Sequence, residues 1–502
     1  MRTAVETVVS VRNTRGEDLN PAPASMPTLS QTLRAPLIER RNIMARRFRI
    51  GWEESDVSRS LLDEVGSLSR PLNGAEDLDP LLDRVGDSRI VLLGEASHGT
   101  ADYYDWRDRI TRRLIQEKGF SFIAVEGDWP ACLRASRFAE GSPDSQDRTP
   151  EQALAGFERW PTWMWANREI ARLLAWLRQT NEKRPEAERV GFYGLDVYSL
   201  WESMDAVLGY LKRQGDEEAL DAAMQAFECF EPYGRDEQEY ASSLRWSPDS
   251  CEEDVVRLLT ELQSRGPSGT DRLSKFDAEQ NALVARNAER YYRTMIRGGS
   301  EPRRDDGMDE ADNSWNVRDR HMMETLERLL AFHGPSSKAI VWEHNTHVGD
   351  ARYTDMKADG SINVGQLARE RHGEKEVFIV GFSSHQGSVI AGRSWGAPLE
   401  QMVVPPGRPG SWEDVLHQAA PGDKLLMFKG GETSAAMQEM RGHRAIGVVY
   451  RPEHEAFGNY VPTVLPRRYD ALLYLDQTRA LHPLHDESYD EHEVPETFPT
   501  GL

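Results

Sequence analysis

The sequence predicts an α/β protein with a mostly parallel central sheet flanked by helices and an inserted helical cap region. Three observations lead there. From about residue 88, short apolar runs alternate with amphipathic stretches of helical period. Alternation of that kind is what strands linked by crossover helices produce, with helices covering both faces of the sheet. Between about 200 and 335 the strand signals vanish, only helical patterns remain, and the strands then resume.

Taken in order, residues 1–50 mix Pro, Ser, Thr, Asn and Arg without period and read as a disordered extension. Its basic cluster, Arg40, Arg41, Arg46, Arg47 and Arg49, is that of a solvated tail. Residues 51–502 form the folded domain. There 89–93 is β-like, 103–117 helical and 120–125 β-like again, followed by a helix over 167–179 and a strand over 191–195. Helices are expected over 201–212, 253–263, 272–296 and 316–332, with a polar loop over 297–313. Runs at 338–342, 376–382, 424–428, 445–449 and 471–475 complete the strand series.

Composition narrows the function classes. Charged residues make up 29% of the 502 and the hydrophobic set 39%, the balance of a soluble globular chain. No stretch approaches the roughly 20 apolar residues that cross a bilayer. The first residues hold no apolar core of secretory length, so the expected location is cytoplasmic. A formal charge of -22 argues against nucleic acid or an anionic membrane as partner, because phosphates are bound through clustered Lys and Arg. The expected partner is a small molecule, with oligomeric state left open. Only Cys132, Cys229 and Cys251 occur, without CxxC spacing, and they read as buried free thiols. No GxSxG elbow or GxxxxGK[ST] loop is present.

Chemistry gathers where the apolar runs end. The first ends at Gly94-Glu95 with His98 just beyond, the second at Glu126, the third at Asp196. The fourth ends at Glu343-His344 with His347 following, a fifth at Ser383, Ser384 and His385, and the last at Asp476. In a parallel sheet such ends share one edge, where ligands bind. Turn chemistry alone prefers Gly, Asn, Ser and Pro over Glu, so repeated acidic endings point to a site.

His98 is the candidate general base, since a neutral imidazole can take a proton from water. Glu95 or Glu126 would orient it, and Gly94 and Gly99 would admit a close ligand. Arg107 either polarises a carbonyl or is an exposed helix charge among Arg109, Arg112 and Arg113. His344 and His347, three residues apart, can bind a metal beside Glu95 and Glu126, orient substrate, or assist proton transfer. Asp196 either lines the site or caps the helix starting near Ser199, and Arg318 and Asp319 read equally as helix charges.

The motifs GEASHGT (94–100), YYDWR (103–107), AVEGDW (124–129), GFYGLDVYS (191–199), VWEHNTHVGDAR (341–352) and LDQTRALHPL (475–484) together resemble the erythromycin-esterase family. The resemblance runs over about 55–485 with the motifs in order. It implies hydrolysis of a carboxylic ester or macrolide lactone, with no cofactor and no metal, and a role in macrolide resistance. By position it implies that His98 activates water, that Glu95, Glu126, His344 and Arg107 complete the catalytic set, and that His347 belongs to the later motif. Asp196 and Arg318 join His347 as the expected substrate-binding residues. Two rivals are a metal-dependent hydrolase using Glu95, His98, Glu126, His344 and His347 as ligands, and a non-catalytic haem- or metal-binding protein.

Overall fold

Short apolar strands buried at nearly every position dictate the architecture, because successive side chains point to opposite faces and each face needs its own cover. The computed structural model describes residues 57–215, 217–230, 251–264, 272–297, 313–428 and 432–485. The expected extension over 1–50 and most of the polar loop over 297–313 lie outside them.

Eleven strands are present among the described residues. They are β1 (Ser69–Pro71), β2 (Ile90–Leu93), β3 (Phe122–Asp128), β4 (Gly191–Asp196), β5 (Ala339–Trp342), β6 (Val377–Gly392), β7 (Leu399–Val404), β8 (Lys424–Met427), β9 (Arg441–Arg444), β10 (Tyr460–Thr463) and β11 (Ala471–Thr478). The main sheet runs β1-β8-β11-β6-β2-β5-β3-β4, with β7 on the far end of β6. The run from β11 through β6, β2, β5 and β3 to β4 is parallel throughout. β1, β8 and β7 pair antiparallel at the margins. This is the mostly parallel, helix-flanked α/β sheet that the sequence predicts.

The two faces bury separate cores. Leu93, Val125 and Trp342 pack with Ile110, Leu114 and Leu173 on one side. Leu92, Ala124 and Val341 pack with Met322, Leu326 and Trp412 on the other. Among the helices expected to form the cap, Leu200–Gln214, Glu217–Phe230, Glu252–Ser264 and Arg272–Arg297 contribute to a third core around Val207, Phe230, Leu258 and Tyr291. Helix Ser314–His333 instead lays Met322, Leu326 and Leu329 on the sheet.

Three sequence expectations need correction. The run 445–449 is not a strand: it makes only isolated bridges, Ser97 with Ile446 and Gly392 with Val449. The strand lies just before it, at β9, where the polar sequence RGHR pairs with β10. Its Arg444 is satisfied by Glu455 and its His443 by Glu413, so polar residues are tolerated in a buried strand. Second, Cys229 and Cys251 are joined in a disulfide and only Cys132 is a free, buried thiol. Third, Ser383, Ser384, His385 and Asp476 are not strand ends, since β6 continues to Gly392 and β11 to Thr478.

Candidate active site

The strands β2, β3, β4 and β5 end side by side, and each delivers its acidic or imidazole residue to the same sheet edge. The chain leaves β2 through Gly94–Gly99 before helix Ala101–Glu117 begins. The two glycines are needed for packing within the protein, not for a ligand. A Cβ at Gly94 would stand 2.1 Å from Asn345 Oδ1, and one at Gly99 1.9 Å from the Ile390 carbonyl oxygen.

Glu95 is the first organising group. Its Oε1 lies 2.9 Å from His98 Nδ1 and its Oε2 accepts from Arg107 Nη2 at 2.7 Å. Arg107 is fully buried, its guanidinium 4.3 Å from the Tyr104 ring centroid and 4.7 Å from that of Trp342. It is therefore no exposed helix charge. It lies against the carboxylate oxygen that His98 does not use, fixing the carboxylate that fixes the base. With Nδ1–H donated to Glu95, the His98 Nε2 carries the lone pair.

Glu126 is the second. Its Oε2 accepts the His344 backbone N–H at 2.8 Å, and its Oε1 accepts Arg318 Nη2 at 2.7 Å. Arg318 in turn forks onto Asp196, with Nε–Oδ1 at 2.9 Å and Nη2–Oδ2 at 2.6 Å. Asp196 spends its remaining capacity on the Val197 N–H at 2.8 Å, and the cap position of helix Leu200–Gln214 is Ser199. Arg318 and Asp196 are thus a buried ion pair, and neither is a surface helix charge or a cap.

His347 sits beyond them. Its Nδ1 lies 2.9 and 3.0 Å from the two oxygens of Asp319, and Asp319 also accepts the Val364 N–H at 3.0 Å. Its Nε2 is 3.2 Å from Arg318 Nη1, a group that can only donate. The same Nε2 lies 3.5 Å from Glu126 Oε1, so the ring stands between two carboxylates. Trp315 stacks on it at 4.4 Å with the rings 8° apart. Two carboxylate–imidazole pairs, Glu95–His98 and Asp319–His347, thus flank Glu126.

His344 completes the set and faces His98, ring centroids 4.8 Å apart. Its Nδ1 is an acceptor, 2.8 Å from the Thr346 hydroxyl and 3.3 Å from the Thr346 N–H, which leaves the ring proton on Nε2. That Nε2 is buried without a hydrogen-bond partner; the Ala96 carbonyl acts on the ring without a bond of normal geometry.

Charge follows the geometry. Burial works against protonation of His98, but Glu126 and Glu95 outweigh it and hold the imidazole pKa above its usual 6.5. Burial and the neighbouring His98 drive His344 well below 6.5, so it is a neutral donor. Burial works against ionisation of Glu126, yet His347, Arg318 and His98 hold it below the carboxylate range. A permanent anion therefore sits between a base and a fixed guanidinium.

The expected site residues Glu95, His98, Arg107, Glu126, Asp196, Arg318, His344 and His347 all lie in this buried network. Ser383, Ser384, His385 and Asp476 do not join it. Ser383 donates to Glu413, Tyr103 donates to Ser384, and His385 stacks on His417, which pairs with Asp476. Sequence reasoning passed over Asp319 as a helix charge and missed Trp315, Thr346 and the state of Glu343. Their signal was spacing: Trp315 and Asp319 are four apart on one helix face, directly after Asn313 caps it.

Among the described residues no group of three or more His, Cys, Asp or Glu is arranged to hold a metal ion.

The edge of a parallel sheet here gathers acids and imidazoles from four strands, and the chain belongs to the erythromycin esterase family, whose model matches residues 115–478. It is 24% identical to the erythromycin esterase type II of Escherichia coli over 336 residues, 64% of this chain and 75% of that protein. Among solved structures, a succinoglycan biosynthesis protein superposes with TM-score 0.67 at 18% identity, covering 86% of this chain and all of that one. A mutant of the erythromycin esterase EreC in its open conformation superposes with TM-score 0.57 at 16% identity, covering 87% of this chain and 99% of that one. The family is one of hydrolases. No described helix is long and apolar enough to cross a membrane.

Proposed function

We propose that the protein hydrolyses a carboxylic ester or macrolide lactone by direct attack of a water molecule that His98 activates. One observation carries the reading: the Glu95–His98 pair, with its Nε2 lone pair uncommitted, faces a neutral His344 whose Nε2–H makes no hydrogen bond of normal geometry. A base and an oxyanion donor then stand within one small molecule of each other.

In the addition step His98 Nε2 takes a proton from water while the hydroxyl oxygen bonds to the carbonyl carbon. The carbonyl π pair moves onto oxygen, and the His344 Nε2–H receives that oxyanion. Collapse breaks the carbon–oxygen ester bond, and the His98 imidazolium returns its proton to the leaving alkoxide. The products are an acid and an alcohol, or one hydroxy acid from a lactone. Glu95 stabilises the imidazolium, and Arg107 holds Glu95 in place. The contacts of Arg107 with Glu95 and with the Tyr104 and Trp342 rings support assigning it to Glu95, with His344 as the oxyanion donor. Glu126 steadies the charge on His98, and Asp196, Arg318 and His347 shape the substrate side. Turnover of a macrolide would carry with it a role in macrolide resistance.

The test is incubation with macrolides and a panel of simple esters, read by mass spectrometry for gain of one water. General-base help is typically worth about 10²–10⁴ in rate, and His98→Asn is expected to lose that factor while keeping its circular dichroism. Normal turnover by His98→Asn would refute the assignment.

A further inference from the structure

Glu343 has no part in the mechanism above, yet its carboxyl group is buried at the centre of the network. It follows β5 directly, and its backbone N–H donates to the Leu93 carbonyl at 3.3 Å. Its residue is 1% exposed, and neither carboxyl oxygen has a hydrogen-bond partner. A buried carboxylate without a donor is among the costliest groups a fold can hold, unless it keeps its proton.

The register shows what surrounds it. Val125 of β3 lies opposite Trp342 of β5, and Glu126 and Glu343 are the next residues along the two chains. Val125 and Trp342 both pack into the first core, whereas Ala124 and Val341 pack into the second. Alternation therefore turns Glu126 and Glu343 toward the same face. Helix Ser314–His333 covers that face and brings Arg318 and Asp319, and β4 adds Asp196. Arg318 is already committed to Glu126, Asp196 and His347. Among the described residues no Arg, Lys or His side chain hydrogen-bonds to Glu343.

We propose that Glu343 is a positioning residue that works as a neutral carboxylic acid, the protonated half of a carboxyl pair with Glu126. Two carboxyls on one buried face cannot both ionise cheaply, and the donors decide which one does. Glu126 takes the His344 N–H and the Arg318 guanidinium and is the anion. Glu343 takes none and holds the proton; burial first, then Glu126 and Asp319, push it well above the carboxylate range. Its neutrality keeps Glu126 aimed at Arg318 and His98. Ionisation would set two anions against each other and loosen both.

The first arm of the test needs no substrate, so its failure is distinct from failure of the esterase reading. Infrared spectra of the full chain at neutral pH should show the carbonyl stretch of a protonated carboxylic acid. The band should vanish in Glu343→Gln and persist in Glu95→Gln. A raised pKa in the folded state means stability is lost as pH climbs above the ordinary glutamate range. Glu343→Gln, which cannot ionise, should therefore show a flatter decline of Tm with pH than the wild type. Should Glu343→Gln fail to fold, Glu126→Gln supplies the second reading: with the neighbouring charge gone, the band should titrate away at lower pH.

The second arm rests on the proposed hydrolysis. Turnover should fall on the alkaline side in the wild type, and Glu343→Gln should keep kcat/KM at neutral pH within about threefold and remove that fall. A band absent at neutral pH, or unmoved by both substitutions, overturns the proposal. So does an alkaline limb that Glu343→Gln leaves in place.

Discussion

At the residue scale the site depends on which proton sits where. Glu95 fixes the His98 proton on Nδ1 and Thr346 fixes the His344 proton on Nε2, so one ring presents a lone pair and the other an N–H. This arrangement has a pH signature. His98 must be unprotonated to act, and its pKa is raised, opposed by burial but driven up by Glu126 and Glu95. kcat/KM should therefore rise with pH along an acid limb whose midpoint lies above 6.5. Glu95→Gln removes one of the two anions raising it, so the midpoint should move to lower pH while the rate falls. A midpoint unchanged in Glu95→Gln would show that the titrating group is not His98. The residues themselves were legible in the sequence: Glu95, His98, Glu126, Asp196 and His344 all follow apolar runs. Their tautomers and pairings were not, because these depend on which side chains the fold sets beside each ring, as with Asp319 on His347 and Arg318 on Glu126.

At the scale of elements, short parallel strands end in one line and the loops after them carry the chemistry. The turn Gly94–Gly99 shows how tightly this is built, with Gly99 pressed against the backbone of β6. Gly99→Ala should place its Cβ against the Ile390 carbonyl and force that turn aside. Overpacking of this kind costs roughly 1–3 kcal/mol, and the strain falls on the residue next to His98. The expected outcome is a lower Tm with a larger loss of kcat than of substrate affinity, read by calorimetry and steady-state kinetics. A variant with wild-type Tm and kcat would count against a rigid turn. Strand positions were legible where apolar runs were continuous, as at 89–93 and 191–195. The run 445–449 misled because Ile446 and Val448 are buried in an irregular segment, while the polar RGHR beside it pairs as β9.

At the scale of the molecule, the helices between residues 200 and 297 own a separate core, and a disulfide joins Cys229 to Cys251 within it. Their separation of 22 residues closes a loop that, by chain entropy, is worth about 3 kcal/mol. Cys229→Ser with Cys251→Ser should lower the stability of this helical region by that order, seen as faster hydrogen exchange there than in the sheet. Equal exchange in both proteins would show the cross-link to be energetically idle.

The sequence by itself determined the α/β class, the positions of the six central parallel strands and the identity of the acids and imidazoles at the sheet edge. Periodicity and strand-end chemistry are local properties, and the chain carries them before it folds. Only the tertiary structure decided that Arg107 backs Glu95, that Arg318 bridges Glu126 to Asp196, that two cysteines join, and that Glu343 has no donor. Which buried charge finds a partner, and which does not, depends on what the fold sets beside it.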